Sequence, residues 1–232
     1  MKHLSSALPM ATVILALAGC AGVQAPQHYF VLEAAAPEPR PQAAAASAPN
    51  LLVAPTTAPA FYESQDIVYS RSAGTRSYYQ LNSWTEPPSR RLDALLVERL
   101  GRSGAFGSVA AATDGVRGRL ILTAHLEEMY HDASTSPGTT HIALTAVLSN
   151  PANRSIQGQR RFTASAPAAT PDAAGAVQGF DVALGPLLDE VVAWAGQAAS
   201  STEATPTPAQ AALASTAPVI AIPSPSRLED LP

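Results

Sequence analysis

Apolar positions recur along this chain with two different periods. Over 116–130 the period is two. Leu120, Leu122, Ala124 and Leu126 alternate with Arg119, Thr123, His125 and Glu127, Ile121 being the exception, as in a strand with one buried face. Ile142, Leu144, Ala146 and Leu148 repeat the alternation, and the turn residues at 134–138 predict that the two runs form a long hairpin. Asn150-Pro151-Ala152-Asn153 turns the chain once more, into a strand over 155–164. Shorter strand-forming runs lie at 28–32, 51–53, 66–71 and 78–84, the last two joined as a hairpin by Ser72-Ala73-Gly74-Thr75. Phe106 and Val109 predict a short strand or a return loop before the Asp114-Gly115 turn.

The second period is helical. Leu92, Leu95, Leu96 and Leu100 share one face after Thr85-Glu86-Pro87-Pro88, where a capping hydroxyl, an acid and an early proline predict a helix start. This helix should stop near Ser103, with Gly104 just beyond. Val177, Phe180, Leu184, Leu187, Leu188, Val191 and Ala195 mark a second helical face, opened by Thr170-Pro171-Asp172 and ending near Ala199. Pro186 removes a backbone donor inside it, at a cost of about 3 kcal/mol, and predicts a kink or a division into two helices. The elements together predict an α+β fold: one domain with a mixed, mostly antiparallel sheet packed with two main helices.

Between and beyond these elements the pattern fails. Alanine and proline dominate 33–50, predicting a linker-like insert, and 200–232 returns to Ala, Ser, Thr and Pro with nothing periodic enough to offset chain entropy, predicting a disordered tail. With 21 prolines and 14% charged residues in 232, much of the length is linker, leaving one domain over 28–199. A net charge of −4 offers no attraction for nucleic acid. Cys20 is the only cysteine, so stability comes from packing and not from a disulfide within the chain.

The N-terminus changes the picture more than any of these totals. Lys2 precedes an apolar run, Met10 to Ala18, with Thr12 as its only polar member. That run is shorter than the roughly 20 residues that cross a bilayer, so 1–19 is predicted to be a secretory signal peptide rather than a retained span. Leu17-Ala18-Gly19-Cys20 resembles a lipobox, the pattern at which bacterial lipoproteins are cut before the cysteine and acylated on it. The resemblance makes Cys20 the lipidation site and 20–27 a short tether. Two or three acyl chains, palmitate among them, would anchor it stably, since each buried CH₂ contributes about 0.8 kcal/mol. Ala21, where lipoproteins retained at the inner membrane usually carry Asp, favours the outer membrane and its periplasmic face.

Candidate chemistry is sparse. No nucleophile elbow, phosphate loop or dinucleotide fingerprint occurs, and no catalytic residue, metal site or cofactor is assigned. His131 and His141 would face each other on the polar side of the long hairpin if its turn centred near Ser136, but no carboxylate or cysteine completes a metal shell. Trp84, Glu86, Arg90 and Arg91 are candidates for a partner-binding surface, against a reading in which Trp84 anchors sheet to helix and the arginines are solvated. Trp194 carries the same two readings.

The lipobox, Tyr29-Phe30-Val31-Leu32, Ile67-Val68-Tyr69-Ser70-Arg71, the stretch from Tyr78 to Trp84 running into Glu86-Pro87, and Leu92 to Leu100 followed by Ser103-Gly104-Ala105-Phe106 together resemble the ABC-type transport auxiliary lipoprotein component family (PqiC-like). The resemblance covers about 28–198, strongest over 51–109; the 33–50 insert, Gly185-Pro186 and the tail depart from it. It implies a non-enzymatic domain tethered to the outer membrane. Such a domain would work with an inner-membrane ABC or MCE-type system that moves lipids or other hydrophobic molecules, and would be able to form homo-oligomeric rings. A structural lipoprotein assisting assembly of an outer-membrane complex, and a lipoprotein enzyme, are the rival readings.

Overall fold

A computed structural model of the protein describes residues 25–34 and 48–203. The predicted signal peptide, Cys20, most of the predicted insert and the predicted disordered tail from 204 on lie outside the described residues. The elements are β1 (His28–Phe30), β2 (Asn50–Val53), β3 (Asp66–Ser70), β4 (Ser77–Trp84), α1 (Pro88–Arg102), β5 (Ser108–Ala111), β6 (Leu120–Asp132), β7 (Thr139–Asn150), β8 (Ser155–Pro167) and α2 (Ala173–Glu203).

β6, β7 and β8 form an antiparallel meander, as the turn residues between them predict. The other edge of β6 is shared. β2 pairs with its beginning through Leu51 and Leu120, and β3 with its end through Tyr69 and His131. β5 extends the first branch, while β4 and then β1 extend the second. Among the described residues four of the seven strand pairings are parallel, β1 with β4, β2 with β5, and β6 with both β2 and β3, so the sheet is mixed but not mostly antiparallel as expected. Alternation reports which face of a strand is buried and carries no information on the direction of its neighbour. Only the hairpins, whose short turns force reversal, are readable in direction.

Both helices cover one face, α2 over β7 and β8 and α1 over β2 and β5, and they touch each other. Leu122, Leu126, Leu144, Leu148 and Phe162 from the sheet meet Leu92, Leu96 and Leu100 of α1 and Phe180, Leu184 and Leu188 of α2 in one core, each at most 2% exposed. Each contributes about 1.5–3 kcal/mol by leaving water.

Three local expectations are corrected. α1 starts with Pro87 at its cap position and no side-chain cap, while Thr85 sits outside, its N–H donating to the Phe30 carbonyl. α2 is capped by Asp172, not Thr170: the Asp172 carboxylate accepts the Gly175 N–H at 2.9 Å and the Thr170 hydroxyl at 2.7 Å, and these bonds hold it below the usual carboxylate range. Finally, α2 runs unbroken through Pro186 to Glu203, past the predicted end near 199. The bond that Pro186 deletes belongs to the Val182 carbonyl, and Val182 and Pro186 both lie on the solvent side, where the carbonyl is open to water.

The helices are locked together by a buried charge. Arg99, 4% exposed, reaches from α1 to the Gly185 carbonyl at 3.0 Å and to the Asp189 carboxylate at 2.5 Å. Asp189 is half exposed, so water bears part of its desolvation. Removing the carboxylate leaves the buried guanidinium undercompensated, and Asp189→Ala should therefore cost about 2 kcal/mol in urea unfolding. Glu190→Ala, which removes the exposed partner of Arg160, should cost less than about 1 kcal/mol in the same measurement.

Candidate functional site

The segment over 27–33, where the chain enters the domain, is stitched to three elements at once. Gln27 donates to the Ser83 hydroxyl of β4 at 3.2 Å, Arg91 of α1 donates through Nε to the Leu32 carbonyl at 2.8 Å, and the Glu33 N–H donates to Asp181 of α2 at 2.9 Å. Leu32 itself is buried in the core. A pull on the chain before Gln27 therefore loads the sheet and both helices. Burial pushes the Asp181 carboxyl up to about 6, assisted by the charge of Glu33 and opposed by the Glu33 N–H.

The four residues predicted to meet a partner divide into two pairs. Trp84, 2% exposed, packs edge to face on Phe180 with ring centroids 5.8 Å apart, and Arg91 is turned onto the Leu32 carbonyl. Both belong to the framework. Arg90 is exposed and Glu86 partly so, beside the start of α1. Trp194 is partly buried, edge to face with Phe162 at 5.6 Å. Cys20 lies outside the described residues.

The two histidines do not face each other. A bulge between Leu126 and Glu128 shifts the register of β6 by one, so that His131 pairs with Thr140 and turns toward the helices, while His141 pairs with Tyr130 on the open face. His131 is fully buried, with Nε2 2.9 Å from the Pro137 carbonyl and Nδ1 2.7 Å from the Tyr79 hydroxyl. A carbonyl only accepts, so Nε2 carries the proton and Nδ1 accepts from the phenol. Burial holds His131 below its ordinary value and pushes Tyr79 up to about 12, so the pair is neutral at pH 7. Gly138, at φ +95°, makes room for this arrangement: a Cβ there would stand 2.2 Å from His131 Nε2. Among the described residues no group of three or more His, Cys, Asp or Glu is placed to hold a metal ion.

On the open face, β6, β7 and β8 bear a groove of about 240 Å³ lined by Glu128, Tyr130, His141, Arg161, Thr163 and Ser165, among others. Its charges are paired. Glu127 accepts from Thr145 and Arg161, each at 2.6 Å, which holds it below the usual carboxylate range. Arg76 lies 3.7 Å from Glu128 and 3.6 Å above the Tyr130 ring, which itself stacks on His141. Glu127, held ionised by Thr145 and Arg161, is a poor proton donor, and its side of the groove suits contact better than acid–base chemistry. A second hollow, about 610 Å³, opens at the β3–β4 turn between Tyr69, Arg71, Ser77, Tyr78, Tyr79 and Gln80. Sequence reasoning did not single out Arg76, Tyr130 or Arg161. Arg161 alternates with the buried Phe162 and so reads as outward-facing, but the β6 alternation assigns Tyr130 to the Leu120–Leu126 face until the bulge reverses it, and nothing local brings Arg76 over from the β3–β4 turn.

Comparison with known proteins places this arrangement. Residues 30–192 match the family described as ABC-type transport auxiliary lipoprotein component. The crystal structure of a Xanthomonas campestris protein superposes with a TM-score of 0.65 at 20% identity, covering 76% of this chain and 99% of that one. A second crystal structure, of an uncharacterized protein, gives 0.52 at 15% identity over 76% and 99%. At these identities the likeness is one of fold. The PelC dodecamer from Paraburkholderia phytofirmans, at 15% identity over 63% and 93%, reaches only 0.37, too low to transfer its assembly. No curated protein matches the chain.

The raised Asp181 carboxyl gives a signed test. A folded-state value near 6, against about 4 in the unfolded chain, means that its contribution to stability is complete below about pH 4 and is lost as pH rises through about 6. Asp181→Asn keeps an oxygen for the Glu33 N–H and cannot ionise. The variant should therefore be the more stable protein at pH 7.5 and should lose part of the wild-type decline between pH 4 and 6, read by urea unfolding across that range.

Proposed function

The chain belongs to the ABC-type transport auxiliary lipoprotein component family, a family of transport auxiliaries and not of enzymes, and from that premise we propose that it is an outer-membrane-anchored periplasmic component of an ABC or MCE-type system that moves lipids or other hydrophobic molecules. Acylation of Cys20 supplies the anchor, and the domain supplies a docking surface. The observation that carries this reading is the incoming segment. Seven residues separate Cys20 from His28, a span of at most roughly 28 Å at about 3.5 Å per residue. At its end the chain is bonded to β4, α1 and α2. An anchor so short and so firmly joined keeps the whole domain beside the membrane.

Glu86 and Arg90, the two candidate residues left at the surface, are the proposed contacts with the transport partner. A charge at the rim of such an interface steers association more than it strengthens it. A ring of several copies would present this surface repeatedly to one machine.

Two measurements test the reading. Metabolic labelling with an alkynyl fatty acid should mark the wild-type protein and leave Cys20→Ala unmarked; equal labelling of both removes the anchor. A photo-crosslinker placed at Arg90 in the anchored protein should capture a permease or MCE subunit, and Glu86→Arg should weaken that capture roughly three- to tenfold, equivalent to about 1 kcal/mol. Capture of an outer-membrane assembly component instead would favour the structural-lipoprotein reading.

A further inference from the structure

Arg76, Arg99, Arg102, Arg160 and Arg161 each hold a carboxylate. Arg71 stands outside this scheme. It follows β3, is exposed, and among the described residues no acid lies within ion-pair distance of it. Its guanidinium lies 5.3 Å from the centre of the Tyr69 ring, Tyr69 packs on Tyr79 with centroids 4.7 Å apart, and Tyr79 lies 6.3 Å from the His131 ring. The pile runs from a fully buried histidine to a cation in water. Its inner end is fixed, because the Tyr79 hydroxyl is committed to His131 Nδ1.

Register explains why this pile borders open space. Tyr69 pairs with His131 of β6 and with Ser77 of β4, and paired residues share a face, so Tyr69 and Ser77 lie on the side of the sheet that carries the helices. There α1 packs over β2 and β5 and α2 over β7 and β8, while the β3–β4 turn keeps the hollow of about 610 Å³. That volume falls within the roughly 300–1,000 Å³ of small-molecule sites. None of its lining residues, Tyr69, Arg71, Ser77, Tyr78, Tyr79 and Gln80, is an acid. The Tyr69 and Ser77 hydroxyls have no hydrogen-bond partner among the described residues. Burial, and after it the charge of Asp172, raises Tyr79, while Arg71 acts in the opposite sense. The Asp172 carboxylate is taken by the Gly175 N–H and the Thr170 hydroxyl and does not line the hollow. A cation and free hydroxyls with no acid among them, on a chain of net charge −4, are complementary to an oxyanion. A guanidinium set over a ring keeps its planar edge of N–H donors free to grip one. The open-face groove has no such vacancy, since Glu128 and Glu127 already occupy Arg76 and Arg161.

We propose that the hollow at the β3–β4 turn binds a small amphipathic acid, a carboxylate or phosphate monoester on an apolar body, with Arg71 holding the oxyanion and the Tyr69 and Tyr79 rings receiving the body. Tyr79 suits the second role because its hydroxyl is turned to His131, which leaves the ring as an apolar wall. The site requires neither acylation of Cys20 nor a docked partner at Glu86 and Arg90.

The test uses the chain from residue 20 on with Cys20→Ser, which carries no acyl group, so its outcome is separate from that of the anchor. Octyl phosphate and octanoate, kept below their micelle concentrations, are titrated against the protein and followed by two-dimensional ¹⁵N NMR. Both should shift the amide signals of 69–80 saturably. Inorganic phosphate, an oxyanion without a body, and octyl glucoside, a body without an oxyanion, should each bind at least tenfold more weakly. Arg71→Gln should weaken octyl phosphate at least tenfold and Tyr69→Ala severalfold, with Arg71→Lys between Arg71→Gln and the wild type. Arg117→Gln, at another exposed position, should change nothing. An unshifted spectrum elsewhere in each variant shows that it is folded. Absence of saturable shifts with both acids overturns the proposal, as do shifts centred away from 69–80 or unchanged by Arg71→Gln. Inorganic phosphate binding as tightly as octyl phosphate removes the apolar body from the ligand, and octyl glucoside doing so removes the oxyanion; either result overturns the assignment of class.

Discussion

The backbone edge of β6 that faces away from β7 governs the architecture. Thirteen residues long, it carries donors and acceptors that cannot be left buried without partners. Three separate stretches complete it. β2 pairs at Leu120–Leu122, the strap after it continues through Ala54 to the Leu122 carbonyl and Thr57 to the Ala124 carbonyl, and β3 closes the far end at His131 and Asp132. These stretches follow one another in chain order along β6 and run parallel to it, so the chain must cross over before β6 returns alongside them, and the sheet forks into a β2–β5 branch and a β3–β4–β1 branch. The two helices follow from the fork. α1 covers the first branch, α2 covers the meander, and Arg99 joins them where they meet.

The bulge in β6 acts on that frame at a second level. One inserted residue exchanges the faces of everything after Glu127: Met129 and His131 turn inward, and Tyr130 turns outward to stack with His141 beneath Arg76. A histidine with both ring nitrogens bonded and held neutral by burial is a structural element here, tying the β6–β7 turn through Pro137 to β4 through Tyr79. The residues left on the open face are polar and paired, which makes that face a surface for contact.

Function in this reading is a matter of position. Gln27, Leu32 and Glu33, where the chain enters the domain, are bonded to the sheet and both helices, so an anchor at Cys20, as proposed, would act on the whole domain at once. The parallel pairing of β1 with β4 sets the end from which the chain enters. Had β1 run the other way, the same residues would arrive from the opposite end of the domain.

Much of this was legible before any coordinates. The alternation in β6 and β7, the leucine face of α1, the face of α2 and the hairpin at Gly74 are all local patterns, each decided by side-chain period or turn chemistry within a few residues. The directions of β1, β2 and β5, the inward turn of His131, the unbroken passage of α2 through Pro186, and the division of Trp84 and Arg91 from Glu86 and Arg90 were not. Each of those depends on partners distant in sequence: which unpaired backbone is left for a short strand to join, where a bulge can be accommodated, and whether a lost carbonyl bond faces water or the core. Period and turn are written residue by residue, and the amino-acid order settled them alone; pairing, direction and exposure exist only once the chain has closed on itself, and the tertiary structure decided them.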